Sequence, residues 1–333
     1  MKRSITSAIR IVVSFGLLGG LFWMMRDHIS EIWATMLSGD LFHIALAVVF
    51  LVIMVVMLSF RLQMVFRGED LSLSLKEAAE LTCVGFFFNN FMPTAVGGDI
   101  MKAHYAAHFN KKKLKSYASV FMDRIIGMLA ILLIAGVALV VDGGRYRASA
   151  IRPIVLALLA AGAAGTIAVT NRSMARTVER VLKRFRLRGI GERLGEAYAI
   201  VHDYRNRPDV VMRSAWFSVG AQASYCVVIY FLFLAMGRPM NMGNIFLIMP
   251  VVIFVSMLPS VGGLGVREYA MVALFSVLAG REVSFAVSLL ALSGNFLISI
   301  AGGVVYMGWS FNSFSGGRES AVSPAAGDYN NGG

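Results

Sequence analysis

The sequence predicts an all-α, polytopic integral membrane protein with about six full spans and two re-entrant hairpins of broken helix, arranged as an inverted repeat. Three observations favour this class. First, 57% of the 333 residues are hydrophobic, 15% are charged and the mean hydropathy is +0.70, whereas a soluble domain has about 25% charged residues. Second, several apolar segments are long enough to cross a bilayer, which takes about 20 helical residues. Third, a proline followed by a glycine pair interrupts apolar sequence at two places.

The apolar segments that are long enough to span are residues 8–25, 41–60, 117–141, 151–170, 211–236 and 284–310. The first of them begins with basic residues, as a signal peptide does, but no small-residue cleavage site follows it. Instead Trp23 and Arg26 give it the interfacial end of a transmembrane helix. We therefore expect this first helix to be retained.

The two interrupted segments predict hairpins that enter the membrane and return. Residues 81–92 are too short for a confident span, and the second interrupted segment is 244–280. The first break comprises Pro93, Gly97 and Gly98, and the second comprises Pro259, Gly262 and Gly263. Broken backbone at membrane depth is tolerated only where protein or a water-filled cavity satisfies its polar groups. Broken helices in corresponding positions of two halves indicate a transport path.

The distribution of basic residues predicts the orientation, because short loops rich in Lys and Arg stay in the cytoplasm. Residues 171–213 carry 11 Lys and Arg against 5 Asp and Glu and are therefore expected inside. The loop after 41–60, with Arg61, Arg67 and Lys76, is also expected inside. Both termini are then cytoplasmic. The basic residues that fit this topology badly, because it puts them outside, are Arg145, Arg147 and Arg152.

The predicted order of elements divides the chain into two halves, about 8–141 and about 151–310, within one transmembrane domain, 1–312. Each half has three crossings, so the second half is inverted relative to the first. The pattern of 171–207 fits amphipathic helices on the membrane surface, which could also bind a partner. We expect the Ser-, Gly- and Asn-rich tail, 313–333, to be disordered. The net charge of +12 is concentrated in loops beside spans, which argues against a nucleic-acid partner.

Polar residues on both sides of the first break could structure it or bind a headgroup. The amides of Asn89 and Asn90 could bond the backbone carbonyls that the break frees, or contact a polar headgroup beside Gly97 and Gly98, where missing side chains permit close approach. Asp99 could cap a helix that starts at the next residue.

Charged residues close to the first break provide possible partners for its carboxylate. Asp99 could pair with Lys102 or Arg124 rather than act as a cap. Asp123 and Arg124 form an acid–base pair in the first turns of a span, and we expect their partners among the charges of the first hairpin.

The second break is glycine-rich and cationic. Gly262, Gly263 and Gly265 lead into Arg267, and a turn of this kind exposes backbone N–H groups to an anion. Adjacent helical residues point about 100° apart, so we expect Arg267 and Glu268 not to neutralise each other simply. The alternative is an interfacial arginine beside a surface glutamate.

Other chemistries find little support in the sequence. Cys83 and Cys226 lie in apolar runs without a CxxC motif, so we predict neither a disulfide nor a metal site for them. His104 and His108 have the i, i+4 spacing of metal ligands but lack an acidic third ligand at a diagnostic spacing. We predict no metal, no cofactor and no covalent catalytic site, and thus no enzyme.

Three ordered motifs, over roughly residues 5–312, resemble the lysylphosphatidylglycerol synthase transmembrane (flippase-like) family. They comprise Asn89, Asn90, Pro93, Gly97, Gly98 and Asp99, then Asp123, Arg124 and Gly127, and finally Pro259, Gly262, Gly263, Gly265, Arg267 and Glu268. The resemblance implies a bacterial inner-membrane protein that moves a lipid between leaflets or helps to move it. The aminoacyl-transferase domain of the bifunctional members has no counterpart in these residues. We therefore expect a stand-alone, YbhN-like member without aminoacylation activity.

Three functions follow as hypotheses. In a lipid translocase, the 262–267 backbone and Arg267 would hold a phosphate-bearing headgroup. Asn89, Asn90 and Asp99 would then supply hydrogen bonds or pair with a cationic part of the lipid. The alternatives are an accessory protein that presents a lipid to a glycolipid- or hopanoid-modifying enzyme, and an ion-coupled transporter of a small anion.

Overall fold

The computed structural model describes residues 39–92, 97–142, 151–170, 200–257 and 264–319. This part of the chain contains α-helices, one short 3₁₀ helix and no strand, in agreement with the predicted all-α class. In chain order the helices are α1 (Leu41–Gly68), α2 (Leu75–Phe91), α3 (Gly97–Asn110), α4 (Lys113–Asp142), α5 (Ile151–Thr170), the 3₁₀ helix (Tyr204–Asn206), α6 (Pro208–Ala235), α7 (Met242–Ser256), α8 (Val266–Ala279) and α9 (Arg281–Glu319). The predicted span 8–25 and most of the amphipathic segment 171–207 lie outside the described residues.

Four of the described helices contain segments long and apolar enough to cross a membrane: Leu41–Gly68, Lys113–Val141, Pro208–Ala235 and Arg281–Trp309. They correspond to the predicted spans 41–60, 117–141, 211–236 and 284–310. The predicted span 151–170 coincides with α5. The helical nature of these segments is therefore confirmed, while the total number of crossings stays a prediction.

Two helices run further than the sequence predicts. Helix α1 continues to Gly68, so Arg61 does not lie in a loop as expected; it is a buried residue within the helix, 8% exposed. A partner on another helix compensates its charge, which hydropathy alone does not reveal. Helix α9 continues to Glu319, past the predicted start of the disordered tail at 313. Residues 320–333 lie outside the described part.

The arms of the two hairpins are short. They have 17 residues in α2, 14 in α3, 15 in α7 and 14 in α8, or roughly 21–26 Å at 1.5 Å per residue. The hydrocarbon core is about 30 Å thick, so arms of this length suit the predicted re-entrant arrangement. Helix α2 starts at Leu75 rather than near 81, because Ser74 and Glu77 form a reciprocal capping box at its N-terminus.

The helices of the two halves pack reciprocally. The pair α1 and α6 forms the most extensive contact. The first arm of each hairpin packs on the last helix of the opposite half, α2 on α9 and α7 on α4. The second arm of each hairpin packs on the last helix of its own half, α3 on α4 and α8 on α9. Such matched contacts are those that a two-fold repeat produces, and the inversion of one half stays a prediction.

Glycines allow α2 and α9 to approach closely. A Cβ atom at Gly302 would overlap the backbone carbonyl of Cys83, and one at Gly303 would lie 3.0 Å from the ring of Phe87. Small residues at helix contacts let backbones meet in this way in membrane proteins. The first hairpin is therefore fixed directly to the last helix of the chain.

Candidate functional site

The N-terminus of α3 is closed by an amide from the preceding helix. The Gly98 N–H donates a hydrogen bond to Oδ1 of Asn89 over 2.9 Å. A Cβ atom at Gly98 would overlap the carbonyl oxygen of Gly85, so only glycine fits there. The amide oxygen of Asn89 is therefore an acceptor for the helix N-terminus, which presents unpaired N–H groups, and a bond from its NH2 group to a freed carbonyl stays a prediction.

The neighbouring amide joins the two halves of the chain. Nδ2 of Asn90 donates to Oγ of Ser299 on α9 at 2.5 Å, and this hydroxyl lies 3.2 Å from the carbonyl oxygen of Phe86. Ser299 is fully buried. This geometry gives Asn90 a structural contact across the α2–α9 interface.

Asp99, Lys102 and Arg124 form a partly buried charge cluster, called here the first-half cluster. The carboxylate accepts a hydrogen bond from the Arg124 guanidinium and lies 3.8 Å from Nζ of Lys102. The three side chains are 14%, 12% and 29% exposed, respectively. Pairing with both predicted partners is thus observed, whereas the capping prediction for Asp99 is wrong, since α3 begins two residues before it. Two cations facing one carboxylate give the cluster a formal charge of +1.

A second, deeper ion pair was missed from the sequence. Nε and Nη2 of Arg61 on α1 donate to the two carboxylate oxygens of Asp123 on α4, at 2.6 and 2.7 Å. Nη1 of Arg61 also lies 3.4 Å from Oγ of Ser218 on α6. A Cβ atom at Gly127 would come within 2.7 Å of Nη1, so this glycine leaves room for the guanidinium.

Adjacent residues on α4 therefore have partners on different helices. Arg124 pairs with the first hairpin as expected, but Asp123 pairs with Arg61 instead. One signal could have indicated Arg61: four of the five residues that follow it, through Phe66, are apolar.

At the second break, an arginine and a glutamate neutralise each other, contrary to expectation. Nε and Nη2 of Arg267 donate to Oε1 of Glu268 at 3.0 and 2.8 Å. The other oxygen of Glu268 accepts from the N–H of Gly265 at 2.7 Å, and this glycine has a φ of +79°. Glu268 folds back to cap its own helix, and the long arginine side chain can follow it despite the angle between the two positions. The break residues Pro93, Pro259, Gly262 and Gly263 lie outside the described residues.

Asp99, Arg124 and Arg267 each lie far along their helices from one helix end. At 1.5 Å per residue, Asp99 lies about 16 Å from the end of α3 at Asn110, and Arg124 about 16 Å from the start of α4 at Lys113. Arg267 lies about 18 Å from the end of α8 at Ala279. Each distance is about half the thickness of a bilayer core of roughly 30 Å.

The C-terminal end of α1 is closed by a buried tyrosine outside the predicted spans. The Tyr204 hydroxyl donates to the carbonyl of Val65 at 2.9 Å, and burial raises the pKa of this phenol well above its ordinary value. Beside it, Nζ of Lys115 lies 3.2 Å from a carboxylate oxygen of Glu69. These contacts tie α1, α4 and the segment before α6 together.

The described residues contain no group of three or more His, Cys, Asp or Glu side chains able to hold a metal ion. Cys83 and Cys226 are both free. The polar groups brought together in this part of the chain are ion pairs, amides and hydroxyls.

A model of one protein family matches residues 7–303; its description is the transmembrane region of lysylphosphatidylglycerol synthase. This match agrees with the resemblance carried by the three sequence motifs. No curated protein and no solved structure matches the chain.

Proposed function

The chain belongs to the lysylphosphatidylglycerol synthase transmembrane family, and from this premise we propose that it is a lipid translocase of the bacterial inner membrane. It would move a phosphate-bearing lipid between leaflets, without covalent catalysis and with both termini in the cytoplasm. The observation that carries the proposal is the first-half cluster, where two cations share one partly buried carboxylate about 16 Å along α3 and α4 from their ends at Asn110 and Lys113.

Charge is the first argument. An ionised group within a membrane is costly and is retained mainly where it serves a substrate path or a relay. Arg61 and Asp123 cancel each other, and so do Arg267 and Glu268. The first-half cluster keeps one positive charge uncompensated within the described residues. A lipid phosphate carries the complementary charge.

The groups in the cluster have separate roles in this proposal. Arg124, the most exposed of the three, would meet the phosphate first, and a guanidinium can bind phosphate oxygens in a bidentate manner. Lys102 would add a second, point-like cation. Asp99 holds Arg124 in place while the site is empty. Acyl chains would stay in the surrounding lipid, so only the headgroup would need a polar path.

Energetics favour such a path. A phosphate in hydrocarbon without partners is strongly disfavoured, whereas hydrogen bonds to charged groups contribute about 1.5–3 kcal/mol each. A polar site near the midplane therefore lowers the barrier where it would otherwise be highest.

The test uses purified full-length protein in phosphatidylcholine vesicles that contain a fluorescent phosphatidylglycerol, with dithionite quenching of the outer leaflet. We expect rapid quenching of the inner-leaflet probe with the wild type and a rate about tenfold lower or less with Arg124→Gln or Lys102→Gln, since each change removes one charged donor. Lys76→Gln serves as a matched control, because its side chain is 87% exposed on α2. Wild-type rates in both cluster variants would contradict the proposal.

The same vesicles distinguish the alternatives. A lipid-presenting accessory protein would retain phospholipid on purification but would not accelerate quenching, and a lipid-modifying enzyme would copurify with it. An ion-coupled transporter of a small anion would accumulate that anion only under an ion gradient.

A further inference from the structure

A buried tyrosine hydroxyl in the second half has no hydrogen-bond partner. Tyr225 on α6 is 8% exposed, and its Oη has no donor or acceptor within reach among the described residues. An unpaired buried polar group destabilises the folded state, because it has lost its hydrogen bonds to water. Phenylalanine would fill the same space without this unpaired group. The presence of the hydroxyl therefore indicates a hydrogen-bond partner outside the described residues, such as a bound ligand.

Tyr225 lies close to Arg267, the arginine at the start of α8. The rings of Phe233 on α6 and Phe275 on α8 lie 5.1 Å apart. Phe233 follows Tyr225 by the same number of residues as Phe275 follows Arg267. Tyr225 and Arg267 therefore lie equally far along their helices from this ring contact, and the two side chains are close enough to interact electrostatically.

Arg267 also has donor capacity to spare. Its Nε and Nη2 are occupied by Glu268, but Nη1 has no acceptor within the described part of the chain. Nη1 and the Tyr225 hydroxyl are thus two unused donors on facing helices. An incoming group must accept hydrogen bonds from both, and a phosphate oxygen does so.

On the predicted topology, Tyr225 and the first-half cluster lie at similar depths in the membrane. Tyr225 lies about 15 Å from the end of α6 at Ala235 at the helical rise of 1.5 Å per residue. On the predicted topology α6 ends at the outer face, so Tyr225 would lie near the midplane.

We propose that the Tyr225 hydroxyl and Nη1 of Arg267 form a second phosphate-oxygen site, which receives the headgroup from the first-half cluster. The proposal rests on the proposed function. The Arg267–Glu268 pair is neutral, so this site binds through hydrogen bonds alone and more weakly than a site with net charge. Weak binding suits a release site, because a transported group must be able to leave.

Tyr225→Phe tests the site, because it removes one oxygen and keeps the ring. A purely structural hydroxyl without partners would leave thermal stability unchanged or improved, and all ligand binding unaffected. Tyr230→Phe makes the same change on the same helix and is the control. Binding is measured by ligand-induced thermal stabilisation of the full chain in detergent, in an Arg124→Gln background that weakens the first-half cluster.

The probes are dioctanoyl phosphatidylglycerol, inorganic phosphate and dioctanoylglycerol. We expect the phosphatidylglycerol affinity to fall about tenfold in Tyr225→Phe and to stay unchanged in Tyr230→Phe. A Tyr225-dependent affinity for inorganic phosphate as well would support the phosphate site and identify free phosphate as a ligand. Equal affinity with and without the hydroxyl, no binding of either phosphate probe, or the same Tyr225 dependence for dioctanoylglycerol would overturn the inference.

The vesicle assay keeps the two proposals separate. Translocation with a Tyr225-independent affinity would refute only the second site. Tyr225-dependent binding without translocation by the wild type would refute only the translocase.

Discussion

The ion pair between Arg61 and Asp123 should be among the most consequential contacts for stability. Each partner is buried, 8% and 3% exposed, and two hydrogen bonds of 2.6 and 2.7 Å join them. Replacing one partner leaves the other as an isolated buried charge, which typically costs 3–5 kcal/mol. We therefore expect Arg61→Met and Asp123→Leu each to lower the free energy of unfolding by about 4 kcal/mol.

The double variant distinguishes the stability contributed by the ion pair from the cost of leaving one charge buried without its partner. Replacing both charges by apolar side chains of similar size is often neutral or stabilising in other proteins. We expect Arg61→Met with Asp123→Leu to come within about 1 kcal/mol of the wild type. Arg67→Met is the control, since Arg67 lies exposed in the last turn of the same helix.

The assay is unfolding of purified protein in mixed dodecylmaltoside and dodecyl sulfate micelles, followed by tryptophan fluorescence and far-ultraviolet circular dichroism. A double variant that loses the sum of the two single losses would refute the reasoning. So would single variants that lose less than about 1 kcal/mol, the value expected of a surface pair.

Three further changes test other contacts. Gly302→Ala should push α9 away from α2 and lower the unfolding temperature. Gly308→Ala is the control, since a Cβ atom there meets nothing within 4 Å and should leave the unfolding temperature unchanged. Equal effects of the two changes would contradict the close approach of α9 to α2. Tyr204→Phe should cost about 1 kcal/mol by removing a buried hydrogen bond, measured in the same micelles, and an unchanged stability would contradict this. The N-cap Asp40 has a lowered pKa, mainly through the Phe42 N–H bond, so the folded state favours its charged form. The contribution of the Asp40 carboxylate to stability is then present at neutral pH and lost on acidification. The difference in unfolding temperature between the wild type and Asp40→Ala should therefore become smaller below about pH 4.

Helix positions could be predicted from the sequence wherever apolar length decided them. The end of α1 could not, because Arg61 breaks the hydropathy profile and its partner Asp123 lies 62 residues away. The average hydropathy of one segment contains no information about a charge on another helix that could compensate a buried arginine. The short hairpin arms were predicted from Pro93 and Pro259 because a proline limits a helix locally.

The site was predictable where its members are near in sequence. Asp99 and Arg124 lie equally far, 11 residues each, from the tight connection between Asn110 of α3 and Lys113 of α4, so their pairing follows from helix geometry. The Arg267–Glu268 pair was missed because the angle between adjacent positions does not take side-chain length into account. Nothing in the sequence indicated Tyr225 as a binding residue. The argument for it depends on a buried hydroxyl without a hydrogen-bond partner, which only the packed structure reveals.

The bond from Asn90 to Ser299 has a consequence for how the protein is made. The two residues are 209 positions apart, and ribosomes add about 5–20 residues per second. The first hairpin therefore enters the membrane roughly 10–40 s before α9 is synthesised. During that time its amide, and the backbone at Cys83 against which Gly302 packs, lack their final partners. Lipid, the insertion machinery or another membrane protein must cover that surface, so the first hairpin reaches its final packing only when nearly the whole chain has been made.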